Sequence, residues 1–102
     1  MATREEFFEF FDKANWIENA IQSIYENSQI GFGATDRRNI ERIRGINDTS
    51  LLALKTNRSN PEGLGRLHFW ALKKNINSNW KTIHSALIRH GIDPETISNY
   101  WS

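Results

Sequence analysis

Leu67-His68-Phe69-Trp70, the polar run Asn75-Ile76-Asn77-Ser78-Asn79, Trp80-Lys81-Thr82-Ile83-His84-Ser85-Ala86-Leu87 and Gly91-Ile92-Asp93-Pro94 follow one another in the last third of the chain. Their order reads as a helix, a break, a Trp-led amphipathic helix, a glycine stop and a helix restart. Leu64, Leu67, Phe69, Trp70 and Ala71 are expected to face a core, as are Trp80, Ile83, Ala86 and Leu87. Ser78 is placed to cap the Trp-led helix. Gly91 suits the left-handed position after a helix end, where Ile92 packs back on Leu87. Asp93-Pro94-Glu95 then starts a last helix, with Asp as N-cap and Pro in the first turn. Ile97, Tyr100 and Trp101 are expected to close the core or to form an apolar C-terminal contact.

Upstream, Thr3-Arg4-Glu5-Glu6 has the spacing of a capping box. Phe7, Phe10, Phe11, Ala14, Ile17, Ala20, Ile21 and Ile24 follow at steps of three and four, which predicts a helix from about residue 4 to 26. Asn15-Trp16 is the place for a bend or break within it. Gly31-Phe32-Gly33 centres the next loop, with Phe32 as a plug of the core edge. A second helix is expected from Thr35 or Asp36 to Arg44, ended by Gly45, with Ile40 and Ile43 inward. A short third helix then starts at Asp48 or Thr49, anchored by Leu51, Leu52 and Leu54. Asn60-Pro61-Glu62 starts the fourth. The chain is therefore expected to form one domain, residues 1–102, built as an all-α bundle of five to six helices.

Composition narrows the function. The chain has 102 residues, no cysteine, 12% aromatic and 25% charged residues, and a formal net charge of +1. Without cysteine there is no disulfide, no zinc–thiolate site and no cysteine nucleophile. This favours a reducing compartment, and a cytoplasmic location is expected. No apolar run approaches the length that spans a bilayer, and the first residues lack the pattern of a signal peptide. A membrane is not expected among the partners. The charge is uneven: acidic over residues 1–34, basic over 35–90, acidic again at the end. Such a layout suggests a partner surface. Its acidic candidates are Glu5, Glu9 and Asp12, and its basic candidates are Arg37, Arg38, Arg42, Arg44, Lys55 and Arg58.

The chemistry-bearing residues lack catalytic spacing. His68, His84 and His90 do not fall three or four apart, as a helical metal pair requires. Most acids sit in first turns or on the outer side of the first helix, where they serve capping and solubility. No catalytic residue, metal or cofactor is expected. Nucleic acid is the alternative partner: helices two and three around Gly45 loosely match a helix-turn-helix, and Thr49, Ser50 and Asn57 are in place to reach base edges.

The stretch from Leu67 to Trp101 resembles the death-fold superfamily, the six-helix assembly modules of adaptor proteins. Leu67-His68-Phe69-Trp70 matches the leucine–Trp pattern of helix four there, and Trp80 to Ile92 matches helix five with its Ala-Leu pair and glycine break. The resemblance implies homotypic or heterotypic assembly through charge-complementary patches, with Glu5, Glu9 and Asp12 of one copy facing Arg37, Arg38 and Arg42 of the next.

Overall fold

The fold is given by a computed structural model, which describes residues 3–27 and 33–100, and for Tyr100 the backbone alone. Its elements are α1 (Arg4–Asn27), α2 (Ala34–Thr56), a single 3-10 turn (Pro61–Gly63), α3 (Arg66–Ser78), α4 (Trp80–Arg89) and α5 (Pro94–Tyr100). Among the described residues there is no strand. The expected all-α bundle is present with five helices.

The start of α1 behaves as its sequence predicts. The Thr3 hydroxyl accepts the Glu6 backbone N–H at 3.0 Å and donates to the Glu6 carboxylate at 3.1 Å. Phe7, Phe10, Ala14, Ile17, Ala20, Ile21 and Ile24 form its buried face, and the helix runs through Asn15-Trp16 without interruption. Phe11 is only half-buried, packed at the core margin.

The largest correction concerns Gly45. It does not end a helix: the expected second and third helices are one continuous α2. Buried residues recur along it as Ile40, Ile43, Asn47, Ser50, Leu51 and Leu54, in one helical phase. Two of these are polar, which hid the continuity. The Asn47 side-chain amide donates to the Ala14 carbonyl at 2.9 Å, and the Ser50 hydroxyl donates to the Leu72 carbonyl at 3.1 Å. These bonds satisfy two donors that would otherwise be costly to bury, while the Asn47 Oδ1 oxygen is buried without a hydrogen-bond partner. Gly45 lies on the exposed side, where its lower helix propensity costs about 1 kcal/mol against Ala. Burial of the stripe on both sides of it outweighs that cost. Leu52 points away from the core and is 69% exposed.

Asn60-Pro61-Glu62 makes only the 3-10 turn; α3 begins after Gly65. The polar run 75–79 is not a broad break either. α3 continues to Ser78, and one residue, Asn79, separates it from α4. Asn75 explains the continuation, because its side chain donates to the Ile46 carbonyl at 3.1 Å and ties α3 to α2. Ser78 is the last residue of α3 and not the cap of α4, whose N-cap is Asn79.

The phase of α3 also differs from expectation. Phe69, Leu72 and Ile76 are buried, whereas Leu67 is 81% and Trp70 54% exposed. Phe69 meets Phe10 edge-to-face at 5.8 Å between ring centroids, and that contact fixes the helix rotation. α4 buries Ile83, Ala86 and Leu87, with Trp80 half-buried beside the core. The end of α4 matches its reading. Gly91 has φ 98°, the Ile92 N–H donates to the Leu87 carbonyl at 3.0 Å, and the Gly91 N–H donates to the Ile88 carbonyl at 3.1 Å. This is a Schellman stop. The Asp93 carboxylate accepts the Glu95 N–H at 3.0 Å, and Ile97 is buried. The expected roles of Phe32, of the Tyr100 side chain and of Trp101 lie outside the described residues.

Candidate interaction surfaces

α1 and α2 run antiparallel, as the Asn47–Ala14 bond and an Arg44–Glu18 ion pair at 3.4 Å establish. α3 and α4 follow one another back along α2: Ser50 meets Leu72, Asn75 meets Ile46, and Arg89 pairs with Asp36 at 3.1 Å. This topology sorts the charged candidates by position along the long axis of a molecule 44 Å in its greatest extent.

The three acids lie on the first turns of α1, all exposed. Glu9 pairs with Lys13 at 3.8 Å; Glu5 and Asp12 make no ion pair with a described residue. Arg37, Arg38 and Arg42 lie on the first turns of α2 and are also exposed. Because the helices are antiparallel, these two sets occupy opposite ends of the pair. With the register set by Asn47 and Ala14, Arg38 stands roughly 20 Å from Glu9 along the axis at 1.5 Å per residue. That exceeds the screening length of about 8 Å at physiological salt, so the two sets do not neutralise each other within the chain.

The six basic candidates do not form one patch. Arg38 and Arg42, one turn apart, line a hollow between α2 and α4 together with Arg89. An adjoining hollow that shares Asn39 and Arg89 is lined by Lys81, Thr82 and Ser85, and the two make one groove. Arg37 is on the other shoulder of α2, towards Tyr25. Arg44 is enclosed by acids: Glu18 at 3.4 Å, Asp48 at 3.9 Å and Glu41 at 4.0 Å. Its charge is spent inside the chain. Lys55 and Arg58 lie at the far end of α2, with Arg58 over the Phe11 ring at 5.8 Å. Ser50, expected to reach a base edge, is buried, and the Asn57 side chain donates to the Ala53 carbonyl at 2.8 Å. Since Gly45 makes no turn, there is no helix-turn-helix around it.

Sequence reasoning missed Lys81 and Arg89 as partners of Arg38 and Arg42. The signal was present as a polar stripe on α4, Lys81, Ser85 and Arg89 at steps of four. It became meaningful only once α4 was known to lie along the first half of α2.

Around Arg44 the electrostatics turn inward. Burial raises the Glu18 pKa, the neighbouring Asp48 carboxylate raises it further, and Arg44 and Lys55 oppose both. The Tyr25 hydroxyl donates to the Glu41 carboxylate, and its pKa is pushed up to about 12, first by burial and then by that bond. The cluster Glu18, Tyr25, Glu41, Arg44 and Asp48 fastens α1 to α2 and leaves no cationic charge of Arg44 to present outward.

Of the histidines, His84 stacks obliquely on Trp80 at 5.6 Å, and His68 is exposed on α3. Among the described residues no three His, Cys, Asp or Glu side chains are grouped so as to hold a metal ion, and no helix is long and apolar enough to cross a membrane. No family model, no curated protein and no solved structure matches this chain.

Proposed function

We propose that the protein is a small cytoplasmic assembly module that joins copies of itself, or a related partner, through complementary charge. The acidic face is Glu5, Glu9 and Asp12 on α1; the basic face is Arg38 and Arg42 on α2, widened by Lys81 and Arg89 on α4, with Arg37 on the opposite shoulder of the same turns of α2. The observation that carries the reading is the placement of these faces at opposite ends of an antiparallel helix pair. Neither can satisfy the other inside the molecule; Glu9 and Arg89 have local partners in Lys13 and Asp36, and the remaining charges are exposed to meet their complement on a neighbour. Contacts of that kind are heterologous and propagate head to tail. They set specificity and association rate more than affinity. The death-fold resemblance of residues 67–101 implies the same mode of association, and a death-fold-like module is the form we propose. No catalytic or cofactor role enters the proposal.

Two charge-reversed variants test it. Arg38→Glu/Arg42→Glu disables the basic face, and Glu5→Lys/Asp12→Lys disables the acidic one. By sedimentation velocity at low salt, each alone is expected to be monomeric. Mixed together, they are expected to associate again, because the unaltered acidic face of one meets the unaltered basic face of the other and the two reversed faces are also complementary. Wild-type association that survives both variants, or a mixture that stays monomeric, sinks the reading.

A second reading rests on the groove between α2 and α4. Arg38, Arg42, Lys81 and Arg89 line it with the single acid Asp36, which suits a phosphate backbone. Its test is a gel shift across salt. Affinity that falls steeply with salt and is lost in Lys81→Glu favours nucleic acid, whereas no shift at low salt removes it.

A further inference from the structure

The outer face of α3 needs an explanation that charge assembly does not supply. Leu67 and Trp70 are among the most exposed large apolar side chains of the described residues, at 81% and 54%. They sit one turn apart, with the exposed Ala71 beside them. The Arg66 guanidinium lies over the Trp70 ring, 4.9 Å from its centroid, which holds the indole in place. Lys73 and Lys74 flank the same ring along a shallow surface completed by Asn77 and Ser78. α3 itself carries no acid on this surface, and the acids nearest its edge are Glu6 and Glu9 of α1, which line a cleft with Lys73. Between Glu62 and Asp93 the sequence holds thirty residues with five Lys or Arg, three His and no Asp or Glu.

We infer that the outer face of α3 is a peripheral docking surface for an anionic lipid bilayer. Three features select a bilayer over a protein. The face is the convex side of a single helix, and protein hot spots favour enclosed, desolvated pockets. A Trp and a Leu within a basic rim match the depth profile of a membrane interface, where indole rings lie at headgroup level and apolar side chains reach below. Arg66, Lys73 and Lys74 have stems long enough to leave their charges among the phosphates while Leu67 and Trp70 insert. A second α3 face is ruled out as the occupant, since it would set these cations against their own copies. The helix lies on the bilayer and does not cross it, in keeping with the absence of a spanning helix among the described residues. The side chains that insert, Leu67 and Trp70, take no part in the charge-assembly reading, and the two readings meet only where Lys73 shares a cleft with Glu9.

The test is co-sedimentation of the full chain with vesicles of phosphatidylcholine alone and of phosphatidylcholine with phosphatidylserine. Wild type is expected to bind the serine-containing vesicles, to bind phosphatidylcholine negligibly, and to shift its Trp emission to shorter wavelength on binding. Leu67→Glu is expected to weaken binding roughly tenfold, and Lys73→Glu/Lys74→Glu by at least as much. Leu52→Glu, which alters another exposed leucine, on α2, is expected to change nothing. All four positions lie outside the core, so circular dichroism should show an unchanged fold. Failure of the wild type to bind overturns the inference. So does binding that Leu67→Glu leaves intact, since charge alone then suffices. Loss of self-association in Leu67→Glu, with vesicle binding unaltered, assigns the face to protein instead.

Discussion

The middle of α2 and the outer face of α3 invert the usual rule in opposite senses. Asn47 and Ser50 are polar and fully buried; Leu67 and Trp70 are apolar and exposed. On α2 the helical phase carries Asn47 and Ser50 into the core, and two carbonyls, of Ala14 and Leu72, accept hydrogen bonds from them. On α3 the edge-to-face contact of Phe69 with Phe10 sets the rotation, and the residues on either side of Phe69 are carried outward. Burial in this molecule follows helical phase first and polarity second. A buried polar side chain is tolerated where a backbone acceptor waits for it, and an apolar one is left outside where the phase gives no alternative.

The comparison is broken most sharply at adjacent residues of α3. Phe69→Ala is expected to cost about 4 kcal/mol in chemical denaturation, through lost burial and a cavity. A cost under about 1 kcal/mol places Phe69 outside the core and undoes the assigned rotation. Next in size is Asn47→Ala, which removes the α2–α1 bond and leaves a small void. A loss of roughly 2 kcal/mol is expected in the same assay. A neutral result makes the bond to Ala14 incidental.

Gly45→Ala sharpens the reading of α2. Nothing lies within 4 Å of a Cβ built at this position, and the glycine is helical, so the substitution is expected to raise stability by about 1 kcal/mol. A glycine stop would give the opposite sign. Thermal melts of the two proteins decide it.

A smaller, pH-dependent effect is expected at Glu18. Its pKa in the folded state is raised, so the folded protein holds this proton more tightly than the unfolded chain. The group's contribution to stability is therefore fully present below the ordinary carboxylate range and is lost as pH rises through the raised value. Glu18→Gln should flatten that part of the stability–pH profile. An unchanged slope in denaturation across acid to neutral pH breaks the assignment. The smallest effect belongs to Leu67→Ala, with less than about 0.5 kcal/mol expected, as for an exposed position without a partner. A large loss at Leu67 puts it back in the core.

Much of this fold was legible in the sequence where local chemistry decides the outcome. The Thr3–Glu6 cap, the apolar stripe of α1, the Gly91 stop and the Asp93 cap each depend on neighbours in sequence, and each stands where it was expected. The rest depends on neighbours in space. Asn47 and Ser50 look like loop residues until Ala14 and Leu72 are placed beside them. Leu67-His68-Phe69-Trp70 offers several helical phases, and only Phe10 selects one. The charged candidates show the same limit. Arg44 reads as a surface cation in sequence, but Glu18, 26 residues away, draws it inward. Lys81 and Arg89 join Arg38 and Arg42 only through the packing of α4 along α2.

Asn79, the single residue between α3 and α4, makes the chain sensitive to length at that point. Upstream, α3 is fastened to α2 by Ser50 with Leu72 and by Asn75 with Ile46; downstream, Arg89 meets Asp36. With both sides anchored, one inserted residue would turn α4 by about 100° relative to α3, swinging Ile83 and Leu87 off the core and drawing Lys81 out of line with Arg42. Between α2 and the 3-10 turn, residues 57–60 give a longer connection that can absorb such a change. Insertions and deletions should therefore be accepted near residue 59 and rejected at residue 79, although both sites lie at the surface.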